Sequence, residues 1–169
     1  LAPWAAFGQA NQEYSPLQLA NYIATLCGGG ERYTTHLLKN VRSSGSGTLE
    51  YVYDAAPVET VSVSSENLSA VLAGMHDLAA DGAVSSYFKD CIVDAAAKTG
   101  TIQTGDAKNN NGAFVCFAPY DDPQIAVAIV IEKGGTGAAL ASTAVQVLNA
   151  YFSNASASSA VTGENALLG

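Results

Sequence analysis

Apolar residues recur at helical spacing in two segments and run almost unbroken in two others. Leu19, Ile23 and Leu26, with Ala20 and Cys27, share one face of a helix predicted over Ser15 to Cys27. Ser15 can cap this helix, Pro16 suits its first position, and Gln18 completes an S-x-x-Q capping box. Gly28-Gly29-Gly30 then stops it. Leu68, Val71, Leu72, Met75 and Leu78 mark a second helix, from Ser64 or Ser65 to Ala80, which Asp81-Gly82 ends. The runs Ala113–Ala118 (AFVCFA) and Ile125–Glu132 (IAVAIVIE) read as strands covered on both faces.

The intervening segments complete the pattern. Arg32 to Val41 is expected to be a strand, on the β preference of Tyr33, Thr34 and Thr35. A Ser/Gly turn over 43–47 leads to a short strand at Leu49–Tyr53, and together these predict a surface hairpin. Ile92 to Thr104 reads as a further strand. The polar turns 105–112 and 119–123 join it to the two apolar strands. A glycine turn at 134–137 precedes a last helix over Ala138 to Phe152, and the small polar residues beyond it are expected to fray. Strands joined by short turns, with helices on both sequence sides, define an α+β class: an antiparallel sheet flanked by helices.

Composition narrows the partners. The chain has 169 residues, of which 49% are hydrophobic and 13% charged, which is enough for a packed core. Its net charge is −8, and seven Lys and Arg are scattered along it, so no nucleic-acid partner is expected. No stretch reaches the roughly 20 apolar residues of a membrane helix. The start, Leu1-Ala2-Pro3-Trp4, reads as an internal one, without an initiator Met or a signal region. Cys27, Cys91 and Cys116 have neither an even count nor CxxC spacing, and are read as small apolar residues. His36 and His76 lack a second ligand at metal spacing, so no metal or cofactor is expected.

The chemistry centres on Lys98-Thr99-Gly100-Thr101. A site that grips a terminal carboxylate wants a fixed cation and hydroxyl donors. Acyl transfer also wants backbone N–H groups aimed at a developing oxyanion, and a strand edge supplies them at regular spacing. Glycine on that strand lets a ligand backbone approach closely. In an ideal strand Lys98 and Gly100 point to one face and Thr99 and Thr101 to the other, so the edge or a twist must bring Lys98 and Thr101 to one cleft.

The order of pieces resembles the class B, monofunctional penicillin-binding proteins. Gly8-Gln9, Ser15-Pro16-Leu17-Gln18-Leu19-Ala20, Gly28-Gly29-Gly30, Gly74-Met75, Lys98-Thr99-Gly100-Thr101, Phe114–Pro119 (FVCFAP) and IAVAIVIE follow one another from about Phe7 to Phe152. The resemblance implies that residues 1–169 form the C-terminal portion of a transpeptidase domain with a penicillin-binding protein and serine β-lactamase-like fold, its tail flexible from about residue 154. It implies that Lys98 supports the serine of a neighbouring S-x-N motif and makes the site positive. Thr99 and Thr101 hold the terminal carboxylate, and the Thr101 N–H is the second oxyanion donor. Gly100 keeps the strand clear for substrate, and Gln103 shapes the cleft floor. Catalysis thus falls to Lys98 and Thr101, and substrate binding to Thr99, Gly100, Thr101 and Gln103. The chain departs from the family at Ala10, where GQG is usual, and at Ile102, where Ala is usual.

Such enzymes also need S-x-x-K and S-x-N. In this family both precede the GQ region, so the nucleophilic serine is expected outside this chain. Ser86-Tyr87-Phe88-Lys89 and Ser65-Glu66-Asn67 match those spacings, but the first lies on the approach to the KTG strand and the second is better explained by helix capping. The expected partners are a peptidoglycan stem peptide, β-lactams and the missing N-terminal half of the domain. The complete protein is expected at the extracytoplasmic face of the cell membrane, while this fragment alone is expected to be inactive and to expose apolar surface. Two other readings stay open: a serine β-lactamase or β-lactam sensor domain, and a degenerate, non-catalytic scaffold.

Overall fold

The computed structural model describes residues 2–6, 8–9, 13–105 and 109–160. A short helix α1 (Ala2–Ala5) precedes α2 (Pro16–Cys27). Ser15 Oγ accepts the Gln18 N–H at 3.2 Å, and Gln18 Oε1 accepts the Ser15 N–H at 2.8 Å, so the capping box forms as its sequence predicts. Helix α3 (Ser65–Ala80) is capped by Ser64, whose Oγ accepts the Asn67 N–H at 3.3 Å. Ser65, the first residue of the S-x-N match, is simply the first helical residue.

Four short strands lie between α2 and α3. β1 (Glu31–Arg32) pairs antiparallel with β4 (Glu59–Thr60), and β2 (Asn40–Arg42) with β3 (Leu49–Val52) across the predicted turn. The hairpin is therefore present, but the strand expected over Arg32–Val41 survives only at its two ends. Among the described residues no strand pairs with residues 33–39. The Tyr33 carbonyl accepts from the Asn21 side chain at 2.9 Å, and His36 Nδ1 contacts the Leu38 carbonyl at 2.9 Å. Side chains take the main-chain groups that a sheet would use, and β preference alone supplies no pairing. The ribbons are exposed throughout, and Leu37, Val52 and Val58 stand in solvent.

The core forms on β5 (Ala96–Ile102), β6 (Asn111–Ala118) and β7 (Ile125–Ile131), an antiparallel sheet in that order. Both faces are covered, as the unbroken apolar runs predict. One face packs Ile23 of α2 and Met75 of α3 on Ala96 and Phe117. The other packs Leu140, Ala144 and Leu148 on Ala97, Phe114 and Cys116. These come from a 3-10 turn at Gly137–Leu140 and from α5 (Ala141–Ala160), while α4 (Ser85–Phe88) adds Phe88.

The boundaries of β5 and of the last helix differ from the pattern. β5 begins at Ala96 instead of Ile92, because side chains claim the groups before it. The Ile92 N–H donates to Asn149 Oδ1 at 2.9 Å, and the Ala95 N–H to Asp94 Oδ1 at 3.0 Å. It ends at Ile102 instead of Thr104, where Gln9 and Asn110 side chains contact the backbone of Gln103 and Thr104. The last helix starts as a 3-10 turn and runs on to Ala160, since its Ser/Ala-rich extension holds no Gly or Pro to break it. Of the tail expected to fray from Ser153, residues 153–160 continue α5, and residues 161–169 lie outside the described residues. Among the described residues no helix is long and apolar enough to cross a membrane.

Candidate functional site

Among the described residues β5 pairs with β6 alone and is therefore an edge strand. Its burial changes midway: Ala96 and Ala97 are fully buried, Thr99 and Gly100 are half-buried, and Lys98, Thr101 and Ile102 are exposed. Met75 and Ala79 of α3 join the clusters around Ala95–Ala97, so the cover supplied by α3 ends where the Lys-Thr-Gly-Thr sequence begins.

Hydrogen bonds fix which groups face outward. In an antiparallel ladder a residue's N–H and C=O point to the same side, and the side alternates along the strand. The Thr101 carbonyl accepts from Gln9 Nε2 at 2.9 Å, and the Gln103 N–H donates to Gln9 Oε1 at 3.4 Å. Odd-numbered residues thus present their main-chain groups to the open edge, and the Thr101 N–H is among them. Lys98 Nζ donates to the Thr99 carbonyl at 2.6 Å, so its side chain turns round the strand to the same edge. This resolves the alternation problem: Lys98 points off a different face from Thr99 and Thr101, yet its ammonium reaches the edge where their backbones are displayed.

Glycines allow the strand to be supported from behind. Gly137 lies against the sheet so closely that an added Cβ would stand 2.7 Å from Gly100 N, and nearer still to the carbonyl oxygens of Ala113 and Gly100. Gly100 itself is less constrained, because a Cβ there would meet Ala113 Cβ at 3.4 Å, an ordinary contact. Packing alone does not demand glycine at position 100.

The other singled-out residues lie elsewhere. Gln103 is exposed, and its backbone N–H donates to Gln9 Oε1. Ser86 and Lys89 are exposed on and just after the four-residue α4. His76 Nε2 meets Asp94 Oδ2 at 3.0 Å and its ring stacks on Tyr120 at 4.3 Å, which ties α3 to the residues before β5. His36 stacks on Tyr53 at 3.4 Å. Two surface clefts, one of about 270 Å³ beside Leu17, Asn21 and Tyr33 and one of about 130 Å³ beside Ser85, Phe88 and Asp94, include no residue of the KTGT strand. The site is an exposed edge, not a closed cavity. Sequence reasoning noted Gln9 as part of a motif but gave it no role, and pattern carries no signal for a contact across 92 residues.

The cysteines are ill suited to nucleophilic chemistry. Burial raises all three thiols above the ordinary 9.0, and it pushes Cys116, which also sits near Cys91, up to about 12. The folded state therefore holds the Cys116 proton more tightly than the unfolded chain. That contribution to stability is fully present below pH 9 and is lost as pH rises towards 12. Thermal unfolding is expected to shift downwards across that window, and a Cys116→Ala variant is expected to shift less. Equal shifts in both proteins would contradict the assignment.

This helix-covered antiparallel fold matches solved penicillin-binding proteins. Penicillin-binding protein 2B of Streptococcus pneumoniae strain R6 superposes with a TM-score of 0.74 at 24% identity, over 90% of this chain and 26% of that one. PBP2 of Pseudomonas aeruginosa, solved in complex with WCK 5153, gives 0.68 at 28% identity, over 85% of this chain and 32% of that one. The penicillin binding protein transpeptidase domain profile matches residues 2–152, and the chain belongs to that family. It is 32% identical to penicillin-binding protein 2A of Bacillus subtilis over 75% of its length, and 29% identical to the peptidoglycan D,D-transpeptidase PbpA of Mycolicibacterium smegmatis over 81%. The chain spans only 19% and 29% of those two relatives.

Proposed function

We propose that this chain supplies the carboxylate-gripping wall and half the oxyanion hole of a peptidoglycan D,D-transpeptidase. The observation that carries the proposal is the open edge of β5, to which Lys98 Nζ and the outward backbone of Thr99 and Thr101 are delivered together.

In this reading the attacking serine comes from polypeptide that precedes Leu1. Its Oγ bonds to the carbonyl carbon of the penultimate D-Ala of a stem peptide, the C–N bond to the terminal D-Ala breaks, and the departing amine takes the proton. The amine of a second stem then attacks the ester, forms the cross-link and releases the serine. The Thr101 N–H stabilises the oxyanion in both halves. The Thr99 and Thr101 hydroxyls hold the terminal carboxylate. Lys98 adds positive charge and supports the serine of the S-x-N motif, and Gln103 borders the cleft floor. A β-lactam takes the same path, except that its leaving nitrogen stays tethered. The complete protein acts at the outer face of the cell membrane.

Fluorescent-penicillin labelling of the full-length protein tests this. The full-length protein is expected to label stably, Lys98→Ala to label about 100-fold more slowly, and the 169-residue chain alone not to label. Stable labelling of the chain alone would place the nucleophile within it. Rapid release of hydrolysed β-lactam would favour a β-lactamase, and no labelling of the full-length protein would favour a scaffold.

A further inference from the structure

Gln9 meets the KTGT strand at its open edge. Its Nε2 donates to the Thr101 carbonyl at 2.9 Å, and its Oε1 accepts from the Gln103 N–H at 3.4 Å. A carboxamide carries a C=O acceptor and an NH2 donor in one plane, so one side chain can accept from one main-chain group and donate to another. Gln9 thus satisfies, from one side chain, two edge groups that two alternate residues of an added strand would satisfy. Its own N–H donates to the Trp4 carbonyl at 3.0 Å, and Gly8 before it has a φ of +80°, a turn that aims the side chain at β5.

A ligand strand needs the same groups. Suppose a peptide lies antiparallel on β5 with its reacting carbonyl on the Thr101 N–H. The residue that owns that carbonyl must then bring its own N–H to the Thr101 carbonyl, because opposed residues of a hydrogen-bonded pair exchange both bonds. The next outward group on that side of the peptide falls on Gln103. These are the two groups that Gln9 holds.

We propose that Gln9 is a built-in competitor of the substrate backbone, a side-chain plug that a peptide-like ligand must displace. The inference rests on the reading of β5 as the stem-peptide wall. With no ligand bound, the plug satisfies an exposed strand edge that would otherwise pair with another chain. With a peptide bound, one main-chain contact is exchanged for another, so the gain from docking is reduced by what the plug is worth. A ligand that uses only the Thr101 N–H leaves the plug in place and bears no such cost.

The test compares acylation rates of the full-length protein by two penams. Benzylpenicillin carries an acylamino N–H beside the reacting carbonyl, and penicillanic acid lacks it. Gln9→Ala is expected to raise the ratio of the benzylpenicillin rate to the penicillanic acid rate about three- to tenfold, the worth of one released hydrogen bond. Gln9→Glu keeps the length and can accept from Gln103, but it cannot donate to the Thr101 carbonyl. It is expected to raise the ratio in the same direction, and it decides the matter should the alanine variant not fold. A ratio that stays constant or falls, with the unsubstituted protein acylated normally, overturns the plug alone. Failure of the unsubstituted protein to be acylated by either compound overturns the transpeptidase reading and the plug with it.

Discussion

Gly137→Ala is expected to destabilise the domain by about 3 kcal/mol, at the upper end of what overpacking costs, and to abolish most of its acylation by penicillin. The nearest atoms that the added methyl group meets are all backbone: Gly100 N at 2.7 Å, and closer the carbonyl oxygens of Gly100 and Ala113. A crowded side chain can rotate away, but two paired strands can yield only by moving. Gly100 and Ala113 are register partners in the β5–β6 ladder, so the displacement passes directly to the segment that carries Lys98 and Thr101. Gly74→Ala is the matching control. Gly74 lies exposed within α3 with nothing within 4 Å of an added Cβ, so alanine there is expected to be neutral or to stabilise by up to about 1 kcal/mol. Thermal unfolding of both variants separates the two cases, with a midpoint loss of roughly 5–10 °C for Gly137→Ala and none for Gly74→Ala. A Gly137→Ala protein that unfolds and acylates normally would show that the 3-10 turn can move off the sheet freely.

The sequence made the elements visible but not their meetings. α2, α3, β6 and β7 each rest on a local code, namely a capping box, a 3.6-residue period or an unbroken apolar run, and each lies within a few residues of its predicted span. The segment 33–39 failed because Tyr33-Thr34-Thr35 has strand preference without a strand beside it, and pairing is a property of two segments. The start of β5 failed because Asp94 spends its carboxylate on the Ala95 N–H and on His76, a residue 18 positions away. The site divides the same way. Lys98-Thr99-Gly100-Thr101 could be read as a motif, but which of its groups reach the open edge depends on β6 lying on one side and Gln9 on the other. Likewise the glycine turn before α5 was visible as a turn. That Gly137 presses on Gly100 is a contact between residues 37 apart, which local pattern does not encode.

The edge geometry makes a sharper test available at Thr101 than hydroxyl removal. Main-chain groups of odd-numbered β5 residues face away from β6, so the Thr101 N–H contributes nothing to the ladder. Proline at 101 deletes that N–H without costing the sheet a bond, and edge strands are where sheets tolerate proline. Gly100, as the residue before it, already lies in the extended backbone that a following proline favours. Thr101→Pro is therefore expected to lower the penicillin acylation rate about 10²–10³-fold, the effect of losing one oxyanion donor. Protection of the Ala113 amide, which faces Gly100 across the ladder, should persist. Thr101→Val keeps the N–H and loses only the hydroxyl, so it is expected to lose about tenfold, the worth of one hydrogen bond to a carboxylate. Thr101→Ser keeps both groups and is expected to stay within a few-fold of the parent. The order matters more than any single value. If valine and proline lose equally, the hydroxyl is what Thr101 contributes and the oxyanion donor must be sought elsewhere. If proline alone is crippled, the outward N–H of this edge strand is the group that the reacting carbonyl requires.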